Sequence, residues 1–89
     1  MRIQKDFIMR EIGGDHIIIP TGKSALEFNG LITINEVGVF LWDLLQQDVS
    51  MEDLVHGLLS EYEVEEEVAR EDIQEFLDTL VKGKILTLD

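Results

Sequence analysis

Between Leu31 and Trp42 the chain changes periodicity within a single residue. Leu31-Ile32-Thr33-Ile34 is apolar and rich in β-branched side chains, which suit a pleated surface. Asn35 follows, and its side-chain oxygen can accept a hydrogen bond from an early helical N–H. Beyond it Val37, Phe40, Leu41, Leu44 and Leu45 recur at the i, i+3, i+4, i+7, i+8 spacing of one helix face. Extended signals precede this point and helical signals follow it. A chain with strands first and helices second is of the α+β class.

The first half supplies the sheet. Phe7 to Ile12 and His16 to Ile19 read as two strands around Gly13-Gly14-Asp15, whose glycines accept positive φ without steric cost. Pro20 closes the second strand. Asn29-Gly30 is a two-residue turn signal just before Leu31. The second half supplies three helices. The first runs from about Glu36 to Gln46, and Val39 and Trp42 lie off its main stripe, so it is expected to be buried between two layers. Ser50-Met51-Glu52-Asp53 resembles a capping box opening the second helix, which carries Leu54, Val55, Leu58, Leu59 and Tyr62 on one face. The third turns Ala69, Ile73, Phe76, Leu77 and Leu80 inward, with Gly83 expected as a left-handed cap. Ile85 to Leu88 is a short terminal strand or an extended tail. The expected architecture is an N-terminal three-stranded antiparallel sheet packed on three helices, winged-helix-like, in a single domain over residues 1–89.

Charge is distributed as unevenly as structure. The formal net charge is −12. Thirteen acidic residues and one base, Arg70, lie between Asp43 and Asp78, whereas Met1 to Trp42 is nearly neutral. Such a surface keeps a small protein soluble or steers a basic partner. It is a poor match for nucleic acid, whose affinity rests on positive charge neutralising phosphates. There is no cysteine, which removes disulfides and thiolate chemistry and suits a reducing compartment. With no signal-peptide pattern and no apolar run near the roughly 20 residues of a membrane span, a cytoplasmic protein with no membrane partner is expected.

Catalytic machinery is hard to find. His56 has Glu52 and Ser60 four residues to either side, an arrangement that any acidic helix offers. His16 stands in a strand. Glu65-Glu66-Glu67 is a solvated helix start, because consecutive helical residues do not face one point. No phosphate-binding glycine loop, HExxH pair or nucleophile elbow occurs. The expectation is no catalytic residue, no metal site, no cofactor and no enzymatic activity. What a small sheet does offer is an edge. Leu31-Ile32-Thr33-Ile34 lacks the charges and proline that usually protect one, so a peptide can add a strand there unless the fold covers it.

The stretch from Phe28 through Asn29-Gly30-Leu31-Ile32-Thr33-Ile34-Asn35-Glu36-Val37-Gly38-Val39-Phe40-Leu41 to Trp42 resembles the signature of the PqqD-like family. Leu54-Val55, Tyr62-Glu63-Val64, Ala69, Asp72, Phe76-Leu77 and Leu80 follow at similar spacing, and Ile17-Ile18-Ile19-Pro20 resembles the family's apolar run ending in proline. Val37 stands where many members have threonine, and Gly83-Lys84 departs from the glycine placement expected after the third helix. The resemblance implies a non-catalytic peptide chaperone. It would bind the leader segment of a ribosomally made precursor peptide by strand addition and present it to a modifying enzyme, commonly a radical S-adenosylmethionine enzyme. Carried onto this sequence, the peptide-binding set is Leu31, Ile32, Thr33 and Ile34 along the edge, with Ala69, Ile73, Phe76, Leu77 and Leu80 on the third helix. Phe76 and Leu80 are the preferred wall residues.

Two other classes compete. A winged-helix nucleic-acid-binding domain needs a basic recognition helix, and the third helix here is acidic. A small acidic carrier protein needs a serine at a helix start to carry a phosphopantetheine arm, and neither Ser50 nor Ser60 has that context. An exposed strand also leaves self-association open.

Overall fold

The computed structural model describes residues 1–23 and 32–87; Leu31 and the Asn29-Gly30 turn signal lie outside them. The strands are β1 (Arg2–Ile3), β2 (Phe7–Ile12), β3 (Asp15–Pro20), β4 (Ile32–Ile34) and β5 (Leu86–Thr87), and the helices are α1 (Glu36–Leu44), α2 (Met51–Glu61) and α3 (Glu66–Lys82). β2, β3 and β4 form an antiparallel sheet in that order, with β4 at one edge. This is the sheet expected from the sequence, followed by the three expected helices.

The hairpin of β2 and β3 turns on Gly13 and Gly14, both at positive φ (59° and 88°). Two successive positive φ values match the turn to the twist of the strands. The turn also sets the phase of the whole sheet. Ile12 and Asp15 flank a two-residue loop, so they form a hydrogen-bonded pair, and such pairs alternate along an antiparallel ladder. Thr21 N donates to Asp6 O at 2.7 Å, which keeps the same phase at the far end. Asp15, Ile17 and Ile19 therefore direct their main-chain groups to β2, and His16 and Ile18 direct theirs to β4. The β4 partners of those two are Ile34 and Ile32.

Each helix start has its own cause. Asn35 accepts a hydrogen bond from Gly38 N at 2.8 Å and opens α1. Ser50 and Asp53 form a complete capping box on α2, each side chain bonded to the other's backbone N–H. α3 has no side-chain cap but places Glu66 and Glu67 in its first turn, where carboxylates complement the helix dipole. Trp42 is buried, as its place off the α1 stripe implies, among Leu41, Leu45, Leu54, Val55, Leu58, Ile73 and Leu80 in one apolar core.

Two features depart from expectation. α1 ends at Leu44, with Leu45 as its C-cap, rather than near Gln46. At the end of α3, Gly83 has φ −83° and is not the left-handed residue. That role falls to Lys84, at φ 58°. Lys84 N donates to Val81 O and Ile85 N to Leu80 O, the bond pair of a Schellman motif with its left-handed residue one position beyond Gly83. Leu80 and Ile85, both fully buried, supply its apolar contact. The chain then enters β5, which pairs with β1 as Arg2↔Thr87 and Ile3↔Leu86, a second sheet of two strands.

Candidate functional site

Among the described residues, β4 pairs with β3 alone. Ile32 and Ile34 use their main-chain groups on that side, so the N–H and carbonyl of Thr33 point away from the sheet. Neither has a hydrogen-bond partner among the described residues. Those groups face an open groove of about 270 Å³. It falls short of the roughly 300–1,000 Å³ of a small-molecule cleft and has the form of a trough beside a strand.

Three elements build the trough. Ile32, Thr33 and Ile34 form its strand wall, and Asn35, Val37, Gly38 and Leu41 form its floor at the start of α1. Asp72, Glu75, Phe76 and Thr79 form the helical wall on α3. Gly38 permits this closeness. A Cβ there would lie 3.1 Å from Ile34 Cβ and 3.2 Å from Phe76 Cε1. The glycine thus lets edge strand, floor helix and aromatic wall meet at one point.

Of the α3 residues assigned to peptide binding from the sequence, the structure brings only Phe76 to the groove, half-buried beside β4. Ala69, Ile73, Leu77 and Leu80 are buried in the core and are not among the lining residues. Of the preferred wall pair only Phe76 lines the groove, because Leu80 is fully buried in the core. Asp72, Glu75 and Thr79 line the groove without having been assigned to it.

The remaining candidates are spread out. Ser60 Oγ donates to the main-chain oxygen of His56 at 2.9 Å, so the hydroxyl serves the helix backbone. His16 Nε2 lies 4.0 Å from Glu11, its partner across the β2–β3 ladder. No group of three His, Cys, Asp or Glu among the described residues is placed to hold a metal ion, and no described helix is long and apolar enough to cross a membrane. Arg70, the lone base of the acidic half, donates to both Glu52 carboxylate oxygens at 3.0 and 3.1 Å and to Glu66 at 2.9 Å. Its hydrogen bonds to Glu52 hold that carboxyl below the usual range, and the two glutamates raise the guanidinium in turn.

The strand, floor and helical wall of the groove all fall within a stretch shared with a known family. The family model described as coenzyme PQQ synthesis protein D (PqqD) matches residues 15–86, from the start of β3 into β5. The chain belongs to the PqqD family. Two solved structures share its fold. TbiB1 in complex with the TbiA(beta) leader peptide is similar over 100% of both chains, with a TM-score of 0.76 and 21% identity. Lasso peptide synthetase B1 complexed with the leader peptide is similar over 98% of this chain and 96% of its own, with a TM-score of 0.74 and 21% identity. No curated protein matches this PqqD-family chain in sequence.

Proposed function

We propose that this chain is a non-catalytic peptide chaperone, a single domain over residues 1–89 acting in the cytoplasm. It binds the leader segment of a ribosomally made precursor peptide as an added strand on β4 and presents it to a modifying enzyme. The family resemblance points to a radical S-adenosylmethionine enzyme as that partner. The observation that carries the reading is the outward-facing main chain of Thr33, bordered by a groove that has room for a strand. Membership of the PqqD family supports it, as do two structural neighbours solved in complex with a leader peptide. Each main-chain hydrogen bond adds a net gain of roughly 0.5–1.5 kcal/mol. Ordering a flexible peptide opposes that gain, so apolar contacts must supply the surplus. Ile32, Ile34 and Phe76 furnish them, the family resemblance adds Leu31 to the binding set, and Ala69, Ile73, Leu77 and Leu80 hold the helical wall from behind.

The phase of the sheet provides the test. Thr33→Pro removes an N–H that the fold does not use, and proline is tolerated on the solvent side of an edge strand. Ile34→Pro removes one that bonds to β3. Thr33→Pro should leave the urea midpoint within about 1 kcal/mol of wild type while lowering affinity for a precursor leader peptide that wild type binds by at least about tenfold. Ile34→Pro should unfold the edge. Unchanged leader affinity in a folded Thr33→Pro variant would rule out strand addition at β4.

A further inference from the structure

Among the described residues, the groove is lined by two carboxylates, Asp72 and Glu75, and by no base. Asp72 and Glu75 stand about one helical turn apart on α3, Asp72 one turn before Phe76 and Glu75 next to it in sequence. Neither carboxylate has a hydrogen-bond or ion-pair partner among the described residues. Their neighbours on the same helix are differently placed. Glu66 is held by Arg70, and Asp78 accepts a hydrogen bond from Gln74 Nε2 at 2.9 Å. Arg70, the one cation near enough in sequence to offset them, is committed to Glu52 and Glu66. The helical wall therefore presents two unpaired negative charges beside a main chain that invites a strand.

Resting on the strand-addition reading above, we propose that Asp72 and Glu75 set the charge of the occupant: the peptide carries a lysine or arginine facing α3, beside an apolar residue seated against Phe76. Side chains on one face of a strand recur about every 6.6 Å, close to the 5.4 Å pitch of the helix alongside. An apolar anchor at Phe76 and a base one turn toward Asp72 thus correspond to peptide positions two apart. An acidic peptide would meet like charge at the same place, so the pair discriminates by repulsion as well as attraction.

The probe is a phage-displayed random dodecapeptide library selected on the full chain. It is selected in parallel on the Asp72→Asn, Glu75→Gln double variant and on a control, Glu61→Gln with Glu63→Gln, which removes equal charge away from the groove. Wild type and control should enrich lysine or arginine two positions from an apolar residue, and the groove variant should not. For a selected peptide made synthetically, exchanging that lysine for glutamine should weaken binding to wild type about threefold or more and leave binding to the groove variant unchanged. Equal basic enrichment on all three proteins, or equal loss on the control, would assign the preference to overall charge and overturn the proposal. Selected peptides that shift the Thr33 amide without any basic preference would overturn it while leaving strand addition standing. Peptides that leave that amide untouched, or an empty selection, would overturn the strand-addition reading as well.

Discussion

Lys84 occupies a conformation that suits glycine. A left-handed backbone costs an ordinary L-residue about 1–2 kcal/mol, and Lys84 accepts that cost at φ 58° to complete the Schellman motif after α3. Lys84→Gly should raise unfolding stability by about 1 kcal/mol, read as a higher urea midpoint at unchanged slope. A lower midpoint would mean that the lysine side chain contributes more than its backbone costs. The glycines at the helix contacts pose the opposite question. At Gly57 the nearest atom to an added Cβ is Leu44 Cδ1, at 2.9 Å, the tip of a flexible side chain. At Gly38 it is Ile34 Cβ at 3.1 Å, on a buried residue fixed in the sheet. Helix propensity favours alanine by about 1 kcal/mol at either site, whereas overpacking costs about 1–3 kcal/mol where the neighbour cannot give. Gly57→Ala should therefore be neutral or stabilising. Gly38→Ala should lose about 1 kcal/mol net and push the Phe76 ring into the groove, weakening leader binding in a calorimetric titration. Equal effects of the two substitutions on binding would show that Gly38 has no special part in the groove.

α2 and α3 are joined at their exposed faces by Arg70, which reaches across to Glu52. The Glu52 carboxyl is held below its ordinary value of about 4.3 by the hydrogen bonds from Arg70. Because the folded-state value is the depressed one, this pair stabilises the fold above that ordinary value, and the contribution is lost as pH falls through the folded-state value. The urea midpoint of wild type should exceed that of Glu52→Gln at neutral pH, and the gap should narrow and then close as the solution is acidified past the carboxyl's ordinary value and through its lowered folded-state value. A gap independent of pH would place the effect of Glu52 in helix capping or packing. The elements themselves were largely legible in the sequence. Leu31 to Trp42 announced the end of the strand and the start of α1, the glycines announced the hairpin, and Ser50 with Asp53 announced α2. What escaped was the pairing of β1 with β5, since two-residue strands have no periodicity and join opposite ends of the chain. The division of α3 between core and groove escaped as well. Ile73, Phe76, Leu77 and Leu80 share one apolar stripe, and only the placement of β4 and α1 against it decides that Phe76 borders open space. Asp72 entered only through the family spacing and Glu75 carried no signal, because an acid beside a groove and an acid in bulk solvent look alike in one dimension.

Across the whole molecule, charge repulsion opposes the compact state. Thirteen acids against one base between Asp43 and Asp78 lie on a body whose Cα radius of gyration is 12.9 Å. The screening length is about 30 Å at 0.01 M salt and about 8 Å at 0.15 M. Moving between these concentrations changes repulsion from spanning the molecule to acting only between neighbours. The urea midpoint should rise over that interval with sodium chloride and tetramethylammonium chloride alike, and a fall would show that the few ion pairs outweigh the repulsion. The two-stranded sheet has a different consequence at this scale. Antiparallel pairing holds Arg2 beside Thr87, so the first and last described strands lie side by side, roughly 5 Å apart. A fold with adjacent entry and exit is suited to insertion into a surface loop of another polypeptide. Spliced into a loop of a modifying enzyme, it would travel with the host as a module and replace a bimolecular encounter with a tether.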